Sequence, residues 1–184
     1  MKSLSLWGAA VVLGNGCSRP RPKVPFRPPG VISMGCNALY RDFSPDFLGV
    51  SDLGMLMEIL RAGYARDHVV VASSRVQPQV EEWLAAHSQE HLYLWDHDPS
   101  WSTGPMMVHV AALAGCNPIH LVGWDGADSA GFVSNHYVGS PNYPVETLRF
   151  STETWDAQLK RVACEFPHVS IVKSSIFGDE LVFA

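Results

Sequence analysis

The stretch that decides the fold runs from Ser102 to Asp125 and reads STGPMMVHVAALAGCNPIHLVGWD. Thr103 to Ala114 is almost entirely apolar and is followed by Gly115, which is typical of a buried helix that ends at a glycine. Ile119 to Val122 is a short apolar run, as in a strand buried on both faces. The sequence therefore predicts a helix that leads directly into a central strand, and Gly123-Trp124-Asp125 ends that strand.

Short apolar runs recur on both sides of this unit, with helical patterns between them. Further strands are predicted at Leu6–Leu13, Val31–Met34, Phe47–Ser51, Val69–Ala72, Leu92–Trp95 and Val169–Val172. Further helices are predicted at Leu53–Ala62, Pro78–His87 and Val145–Glu165. This alternation predicts an α/β layered fold with a mainly parallel sheet, built as a single domain over residues 1–184. The irregular stretch Gly126–Pro144, rich in Gly, Ser, Asn and Tyr, is predicted to be a functional loop or lid.

Composition limits the class of protein. The chain has 184 residues, of which 47% are hydrophobic, enough for a real core. Thirteen Lys and Arg against 18 Asp and Glu give a net charge of −5, which argues against a protein that mainly grips nucleic acid. Charged residues make up only 17%, against roughly 25% in typical soluble domains. This low fraction of charged residues indicates that another subunit covers part of the surface.

The cysteines and the N-terminal apolar run indicate in which cellular compartment the protein is expected. Four cysteines stand far apart with no C-x-x-C pair, so free thiols in a reducing cytoplasm are expected rather than a zinc site or a disulfide scaffold. No apolar run reaches the roughly 18 residues of a membrane span. The run before Cys17 also resembles a short leader. A single Lys and the Gly-Asn-Gly before Cys17 favour the interpretation as a first strand.

Polar residues follow four of the predicted strands directly: Asn15, Asn37, Asp52 and Asp125. In open parallel sheets, ligands bind outside the carboxyl ends of the strands, so these side chains are expected to face one crevice. The alternative is that Asn, Asp and Gly at these positions only make turns. Four such residues at one edge favour the crevice.

Several segments offer groups that suit a phosphate. Gly14-Asn15-Gly16 allows close approach of backbone to a ligand. Ser102-Thr103-Gly104-Pro105 opens a helix, where N–H groups favour an anion, although Ser102 or Thr103 can equally serve as a helix cap. The basic, proline-rich segment 19–29 carries Arg19, Arg21, Lys23 and Arg27, and either closes over phosphates or is simply solvated.

Other candidates concern proton transfer and metals. His136-Tyr137 in the predicted lid offers a proton-transfer group and an aromatic wall, although an exposed loop histidine is also common. Asp96-His97-Asp98 has metal-ligand chemistry, but its position favours a turn, so no metal site is predicted. His109 and Met106-Met107 lie within an apolar helix, where core packing is the favoured role.

Three stretches together resemble a known group: Val11–Ser18, Gly35-Cys36-Asn37 and Ser102–Asp125, followed by His136-Tyr137-Val138-Gly139 and Val169–Val172. They are similar, over most of the chain, to bacterial sialyltransferases of glycosyltransferase family 42 and to archaeal 6-hydroxymethylpterin diphosphokinase-like domains. The resemblance implies a Rossmann-like three-layer domain that binds a nucleotide or nucleotide-sugar. The residues that it assigns to this ligand are Asn15, Gly16, Asn37, Asp52, Ser102, Thr103, Gly104 and Asp125.

The chain departs from that family at the groups that assist catalysis. Ala127 stands where the sialyltransferases have a Tyr two residues after the strand-end Asp, and Phe132 is the nearest aromatic to a second Tyr. Ser140 stands where the family has its general-base His, and a Ser is no unassisted base near neutral pH. His136, four residues upstream, is the predicted substitute. The catalytic candidates are accordingly His136, Tyr137 and Ser140.

Three functions follow from these observations. The first is glycosyl transfer from a nucleotide-activated sugar to an unknown acceptor, which requires no cofactor. The second is diphosphoryl transfer from a nucleoside triphosphate to a pterin-like alcohol, which needs Mg²⁺ held by Asp52 and Asp125. The third is nucleotide binding without catalysis, after loss of the family's Tyr and His.

The sparse surface charge predicts self-association. We expect light scattering at micromolar concentration to give a mass well above the 20.2 kDa of one chain, because an apolar surface is then buried between subunits. A monodisperse 20.2 kDa species would contradict this prediction.

Overall fold

An eight-stranded sheet forms the centre of the computed structural model, which describes residues 8–19, 29–97, 100–126, 131, 134–145, 153–177 and 180–183. The strands are β1 Ala9–Leu13, β2 Val31–Cys36, β3 Phe47–Val50, β4 Val70–Ser73, β5 Leu92–Trp95, β6 Ile119–Val122, β7 Ile171–Phe177 and β8 Glu180–Phe183. Their order across the sheet is β5-β4-β3-β2-β1-β6-β7-β8. β1 to β7 run parallel, and β8 pairs antiparallel with β7 at one edge.

The order of the strands reverses beside β1. From β1 the chain moves outward through β2, β3, β4 and β5, then returns to place β6 on the other side of β1. Val12 of β1 therefore lies between Met34 of β2 and Leu121 of β6. The connections that leave β1 and β6 diverge in opposite directions, which opens a crevice at the carboxyl ends of these two strands.

Four helices in the described part of the chain cover the two faces of the sheet: α1 Leu53–Arg61, α2 Gln77–Ala86, α3 Thr103–Leu113 and α4 Glu153–Glu165. α1 and α2 pack with Val11 and Leu13 of β1, whereas α3 and α4 pack with Ala10 and Val12. Right-handed crossovers place helices on opposite faces once the direction of travel across the sheet reverses. The result is a Rossmann-like three-layer α/β fold. None of the described helices combines the length and the apolarity that crossing a membrane requires.

The predicted fold class is confirmed, and most of the predicted elements are found within a residue or two. The first strand begins at Ala9, with Leu6 and Trp7 outside the described residues. The last helix is seen from Glu153, and most of the residues predicted before it also lie outside the described part. β7 extends to Phe177 and pairs antiparallel with β8, a strand that the sequence pattern does not predict. All four cysteines are free thiols.

α3 lies against the centre of the sheet because a glycine makes room for it. Gly49 of β3 has no side chain, and a Cβ built there would lie 2.3 Å from Cγ of Met107. Met107 is fully buried, so it has little space to withdraw. The same glycine leaves Thr103 close to the end of β3, since its Cγ2 would be 3.3 Å from that Cβ. Gly49 thus sets how closely the start of α3 approaches the sheet.

Gly49→Ala is expected to lower the free energy of unfolding by about 1–3 kcal/mol, through overpacking against Met107. Met107→Ala should cost about 2–5 kcal/mol by leaving a cavity. Urea unfolding of both variants and of the double variant measures the coupling. The free energy of unfolding of the double variant should fall by less than the sum of the two single losses, because the new methyl group at position 49 occupies the space that Met107 vacates. Losses that add to within about 0.5 kcal/mol would contradict this packing.

Candidate functional site

A cavity of about 500 Å³ opens at the carboxyl ends of the central strands and at the start of α3. This volume lies within the range of small-molecule sites. The wall contains every residue predicted to bind the ligand: Asn15, Gly16, Asn37, Asp52, Ser102, Thr103, Gly104 and Asp125. It also contains residues that the sequence did not single out, among them Arg75, Trp101, Trp124, Asn142, Tyr143 and Trp155.

The floor of the cavity is the turn after β1, held directly against the turn after β6. Gly14 N–H donates to the Val122 carbonyl at 2.8 Å, and Gly16 N–H donates to the Gly123 carbonyl at 3.0 Å. A Cβ on Gly16 would lie 2.6 Å from Cγ of Asp125. Only glycine therefore permits this approach, and the close contact brings the two turns to the same edge of the cavity.

Asp125 joins three segments of the chain. Its Oδ2 accepts hydrogen bonds from Ser18 N–H at 2.8 Å and from the Ser134 hydroxyl at 2.9 Å, and its Oδ1 accepts one from the Ser18 hydroxyl. Partial burial acts to raise the pKa of Asp125, but the hydrogen bonds from Ser18 and Ser134 outweigh it and hold this pKa below its usual value. Both carboxylate oxygens are thus engaged in fixing the turn after β1 and the loop at Ser134.

Thr103 ties α3 to the ends of β2 and β3. Its Oγ1 donates to Asn37 Oδ1 at 3.0 Å, so it accepts from Ser51 N–H at 3.1 Å and from the Ser51 hydroxyl at 2.6 Å. Ser102 occupies the cap position, but no side chain caps the helix, so the capping alternative is not realised. First-turn N–H groups have no acceptor within the helix. Thr103 and Gly104 are first-turn residues of α3, and both line the cavity.

Asn15 and Tyr143 meet across the cavity. Asn15 Nδ2 donates to the Tyr143 hydroxyl at 3.3 Å, whereas Asn15 Oδ1 is buried and has no partner among the described residues. Burial raises the pKa of Tyr143 to about 12, against hydrogen bonds from Asn37 and Asn15 that act to lower it. Tyr143 therefore remains protonated near neutral pH, and Asn15 retains a buried acceptor that a ligand can satisfy.

Arg75 brings a positive charge to the wall. It follows β4, and its Nε donates to the Ser51 carbonyl at 2.9 Å while its Nη2 lies 3.4 Å from Oδ1 of Asp52. Asp52 is 60% exposed at the start of α1 and makes no side-chain cap there. Among the described wall residues, Arg75 is the only Lys or Arg. The strand-end rule that predicts Asp52 does not single out Arg75, because Ser73 and Ser74 stand between Arg75 and the predicted strand Val69–Ala72.

Aromatic side chains form another part of the wall. Trp124 and Trp155 have ring centroids 6.2 Å apart and meet edge to face. Trp124 Nε1–H donates to the Val12 carbonyl at 3.1 Å, which fixes the ring. A Cβ on Gly104 would lie 2.8 Å from Cη2 of Trp124, so this indole packs directly on the first turn of α3. The cavity therefore combines flat apolar surfaces with hydrogen-bonding groups.

The three predicted catalytic residues are not part of the wall. His136 N–H donates to the Asn15 carbonyl at 2.8 Å, and its Nε2–H donates to the Arg19 carbonyl at 2.7 Å. An Nε2 that carries this proton is not available as a base. His136 holds its loop against the turn after β1, and its role in proton transfer stays a prediction.

Tyr137 and Ser140 also hold the loop in place. The Tyr137 hydroxyl is buried, donates to Asp42 Oδ2 at 2.8 Å and accepts from Arg19 Nη2 at 3.3 Å. Burial, with the hydrogen bond to Asp42, raises the pKa of Tyr137 well above its usual value. The Ser140 hydroxyl donates to the Tyr137 carbonyl at 2.6 Å and accepts from Arg41 Nη1 at 2.7 Å. A catalytic role for either remains a prediction.

Arg19 has a different role from the one expected of a basic loop. It is 2% exposed, its Nε donates to the Gly14 carbonyl at 3.0 Å, and it pairs with Asp42 at 3.6 Å. This arginine is therefore built into the turn after β1 instead of reaching for a phosphate. The other positions of interest in the sequence, Arg21, Lys23, Arg27, Asp98, Ala127 and Phe132, lie outside the described residues.

Glu58 of α1 fastens the loop that carries Tyr143. Arg41 Nε and Nη2 donate to the two Glu58 oxygens at 2.8 and 2.6 Å. Tyr40 and Asn142 donate to the same carboxylate at 2.7 and 2.6 Å. Burial acts to raise the pKa of Glu58, but the bonds from Arg41, Tyr40 and Asn142 prevail and lower it. Glu58 therefore holds residues 140–143 beside the cavity as a charged group.

Glu58→Gln keeps the shape of this side chain and removes its charge, so it should cost about 1–3 kcal/mol of stability at pH 7. Because the folded-state pKa is below the unfolded value of about 4.3, the contribution of the carboxylate is complete above that value and is lost as pH falls through the folded-state pKa. Urea unfolding at pH 7 and at pH 3.5 should show the two proteins converging at acid pH. The exposed Glu82→Gln on α2 is the control, and a pH-independent difference would argue against this role.

Comparison with known proteins leaves the site to be interpreted from its own geometry. No protein-family model, no curated protein and no solved structure matches this chain.

Proposed function

We propose that the protein binds a nucleotide-activated sugar in this cavity and transfers the sugar to an acceptor hydroxyl. The observation that carries the proposal is the convergence of the eight predicted ligand-binding residues on one cavity, at the point where the strand order reverses. Ligands of Rossmann-like domains bind at this point. A pocket with flat aromatic walls and a cluster of N–H donors fits a nucleotide with an attached sugar.

The phosphates belong at the start of α3. The N–H groups of Thr103 and Gly104 and the positive end of the helix dipole favour an anion there. Arg75 adds a guanidinium on the same wall, and charged hydrogen bonds of this kind are the strong ones. These donors would also stabilise the negative charge that grows on the departing phosphate.

The base and ribose suit the remaining surfaces. Trp124 and Trp155 offer faces and edges for stacking, where aromatic contacts contribute to binding. Asn15 Oδ1 has no donor among the residues that the structure describes, and a ribose hydroxyl or a base amine would supply one. Satisfying a buried orphan acceptor removes a cost of about 1–3 kcal/mol, so it favours ligands that carry a donor at this place.

Glycosyl transfer needs one further group, a proton acceptor. The acceptor oxygen attacks the anomeric carbon, the bond from that carbon to the phosphate oxygen breaks, and the electron pair leaves on the phosphate. Asp52 is the cavity carboxylate best placed to take the acceptor proton, because it is 60% exposed and an acceptor hydroxyl can reach it. Asp125 is less suited, since both its oxygens already accept hydrogen bonds.

Nucleotide binding without catalysis is the second candidate. It is favoured by the position of His136, Tyr137 and Ser140, whose polar groups hold a loop and do not reach the cavity wall. Diphosphoryl transfer is less favoured, because its Mg²⁺ would have to draw on Asp125, whose carboxylate is committed to Ser18 and Ser134.

A thermal-shift screen tests the proposal. Nucleotides and nucleotide-sugars of cytidine, uridine, adenosine and guanosine, each with Mg²⁺ and with EDTA, should reveal one base that raises Tm by roughly 5–10 °C at about 100-fold above Kd. Slow hydrolysis of the matching nucleotide-sugar in EDTA is expected. No stabilisation by any compound would refute nucleotide binding, and activity that requires Mg²⁺ would favour diphosphoryl transfer.

Three variants and one control separate binding from chemistry. Arg75→Ala should weaken binding about tenfold or more through loss of a charged hydrogen bond, whereas Arg61→Ala, an exposed arginine at the end of α1, should not. Asp52→Asn should keep binding and lower turnover by about 10²–10⁴-fold. Loss of turnover in His136→Ala with Asp52→Asn active would assign the proton to His136 instead. Binding with no turnover in the unaltered protein would favour the non-catalytic function.

A further inference from the structure

A second cluster of polar side chains lies on the α3 and α4 face of the sheet. His97 follows β5, His109 is in the middle of α3, and Glu165 is the last residue of α4. None of the three lines the cavity described above. One potential ligand atom from each, a ring nitrogen or a carboxylate oxygen, lies within 4.8 Å of the other two. Three different elements of the fold thus present metal-ligand groups to one another.

His109 is an unusual residue for the interior of an apolar helix. Its side chain is 1% exposed, and Nε2 lies 3.1 Å from Oε2 of Glu165. Its Nδ1 is buried with no partner among the described residues. Nε2 is therefore the nitrogen that faces Glu165 and can bind an ion there, and Nδ1 takes no part in that contact. Trp95, Trp101 and Phe166 surround the ring at 5.3–5.4 Å between centroids and limit its movement.

We propose that His97, His109 and Glu165 bind one divalent transition-metal ion, with Zn²⁺ as the best fit. In a tetrahedral zinc site with bonds of about 2.0–2.2 Å, neighbouring ligand atoms lie about 3.3–3.5 Å apart. The 3.1 Å between His109 and Glu165 is already near this spacing. Two imidazoles with one carboxylate favour Zn²⁺ over Mg²⁺ or Ca²⁺, which prefer oxygen ligands throughout.

The third ligand and the path to solvent are also present. The His97 ring lies 4.6 Å from the His109 ring between centroids and stacks on Trp95 at 4.9 Å. His97 is half-buried and lies beyond the end of its strand. Glu165 is 46% exposed, which gives an ion access from solvent. Three protein ligands leave the fourth tetrahedral position for water. A bound ion would fasten the segment after β5 to α3 and α4.

Zn²⁺ titration of chelator-treated protein, in competition with a colorimetric zinc indicator, tests the site. The titrations use a Cys17→Ser, Cys164→Ser background, because both thiols are exposed and bind zinc by themselves. We expect one Zn²⁺ per chain, and a rise in Tm of roughly 5–10 °C at about 100-fold above Kd. Mg²⁺ at the same concentration should leave Tm unchanged.

Variants decide whether the three residues hold the ion. Glu165→Gln and His97→Ala should each weaken Zn²⁺ binding about tenfold or more, and neither side chain is fully buried, unlike that of His109. The controls are His91→Ala, just before β5, and Glu82→Gln on α2, which should bind as the parent does. Absence of stoichiometric Zn²⁺ binding, or binding that Glu165→Gln and His97→Ala leave intact, would overturn the proposal. Nucleotide binding is measured separately, since no ligand residue is shared.

Discussion

The closeness of two backbone turns is the constraint on which the cavity depends. The glycines after β1 pair with the turn after β6, and Gly16 approaches the Asp125 carboxylate so closely that a Cβ would collide with it. From there Asp125 reaches Ser18 and Ser134, which fixes the turn after β1 and the start of the loop that leads to Tyr143. A larger residue at position 16 would separate β1 from β6 at the end where the cavity forms. The position of Asn15 would be lost with it.

Many polar side chains around the cavity make hydrogen bonds that hold the two turns and the neighbouring loop in position. Thr103, Asp125, Tyr137 and Glu58 each make several hydrogen bonds to other parts of the protein. Polar groups whose hydrogen bonds are all made within the protein hold its segments in position. Polar groups with unused hydrogen-bonding capacity are the ones available to a ligand. Asn15 Oδ1 belongs to the second kind, as does the exposed carboxylate of Asp52, and the first N–H groups of a helix have no acceptor within it. This distinction supports the assignment of binding to them and of positioning to the others.

The sequence predicted the sheet and the residues around the cavity because both follow from short-range patterns. Apolar runs mark buried strands, and the residue after each strand falls at a shared edge, so Asn15, Asn37 and Asp125 were found without knowledge of contacts. Hydrogen bonds over long separations could not be predicted in this way. The bond from His136 to the Arg19 carbonyl joins residues 117 positions apart, and nothing local to His136 indicates it.

Other features of the structure cannot be predicted from the sequence pattern for similar reasons. Tyr143 lies in an irregular segment, where no periodicity indicates which side chains turn inward. Trp155 is on α4, whose amphipathic pattern explains its helical form and not its contact with Trp124. The antiparallel β8 follows a strand that the pattern ended at Val172, five residues before its observed end at Phe177. Each of these depends on which distant segment packs nearby.

The place of β1 in the sheet has a consequence for synthesis of the chain. β1 is the central strand, yet Val12 pairs with Leu121, which the ribosome adds 109 residues later. At elongation rates of about 5–20 residues per second, that interval is roughly 5–20 s. For this time a strand that ends up fully enclosed has an unpaired edge beside the partly assembled β2 to β5. Of the strands in the sheet, β1 is thus the one that waits longest for its second neighbour.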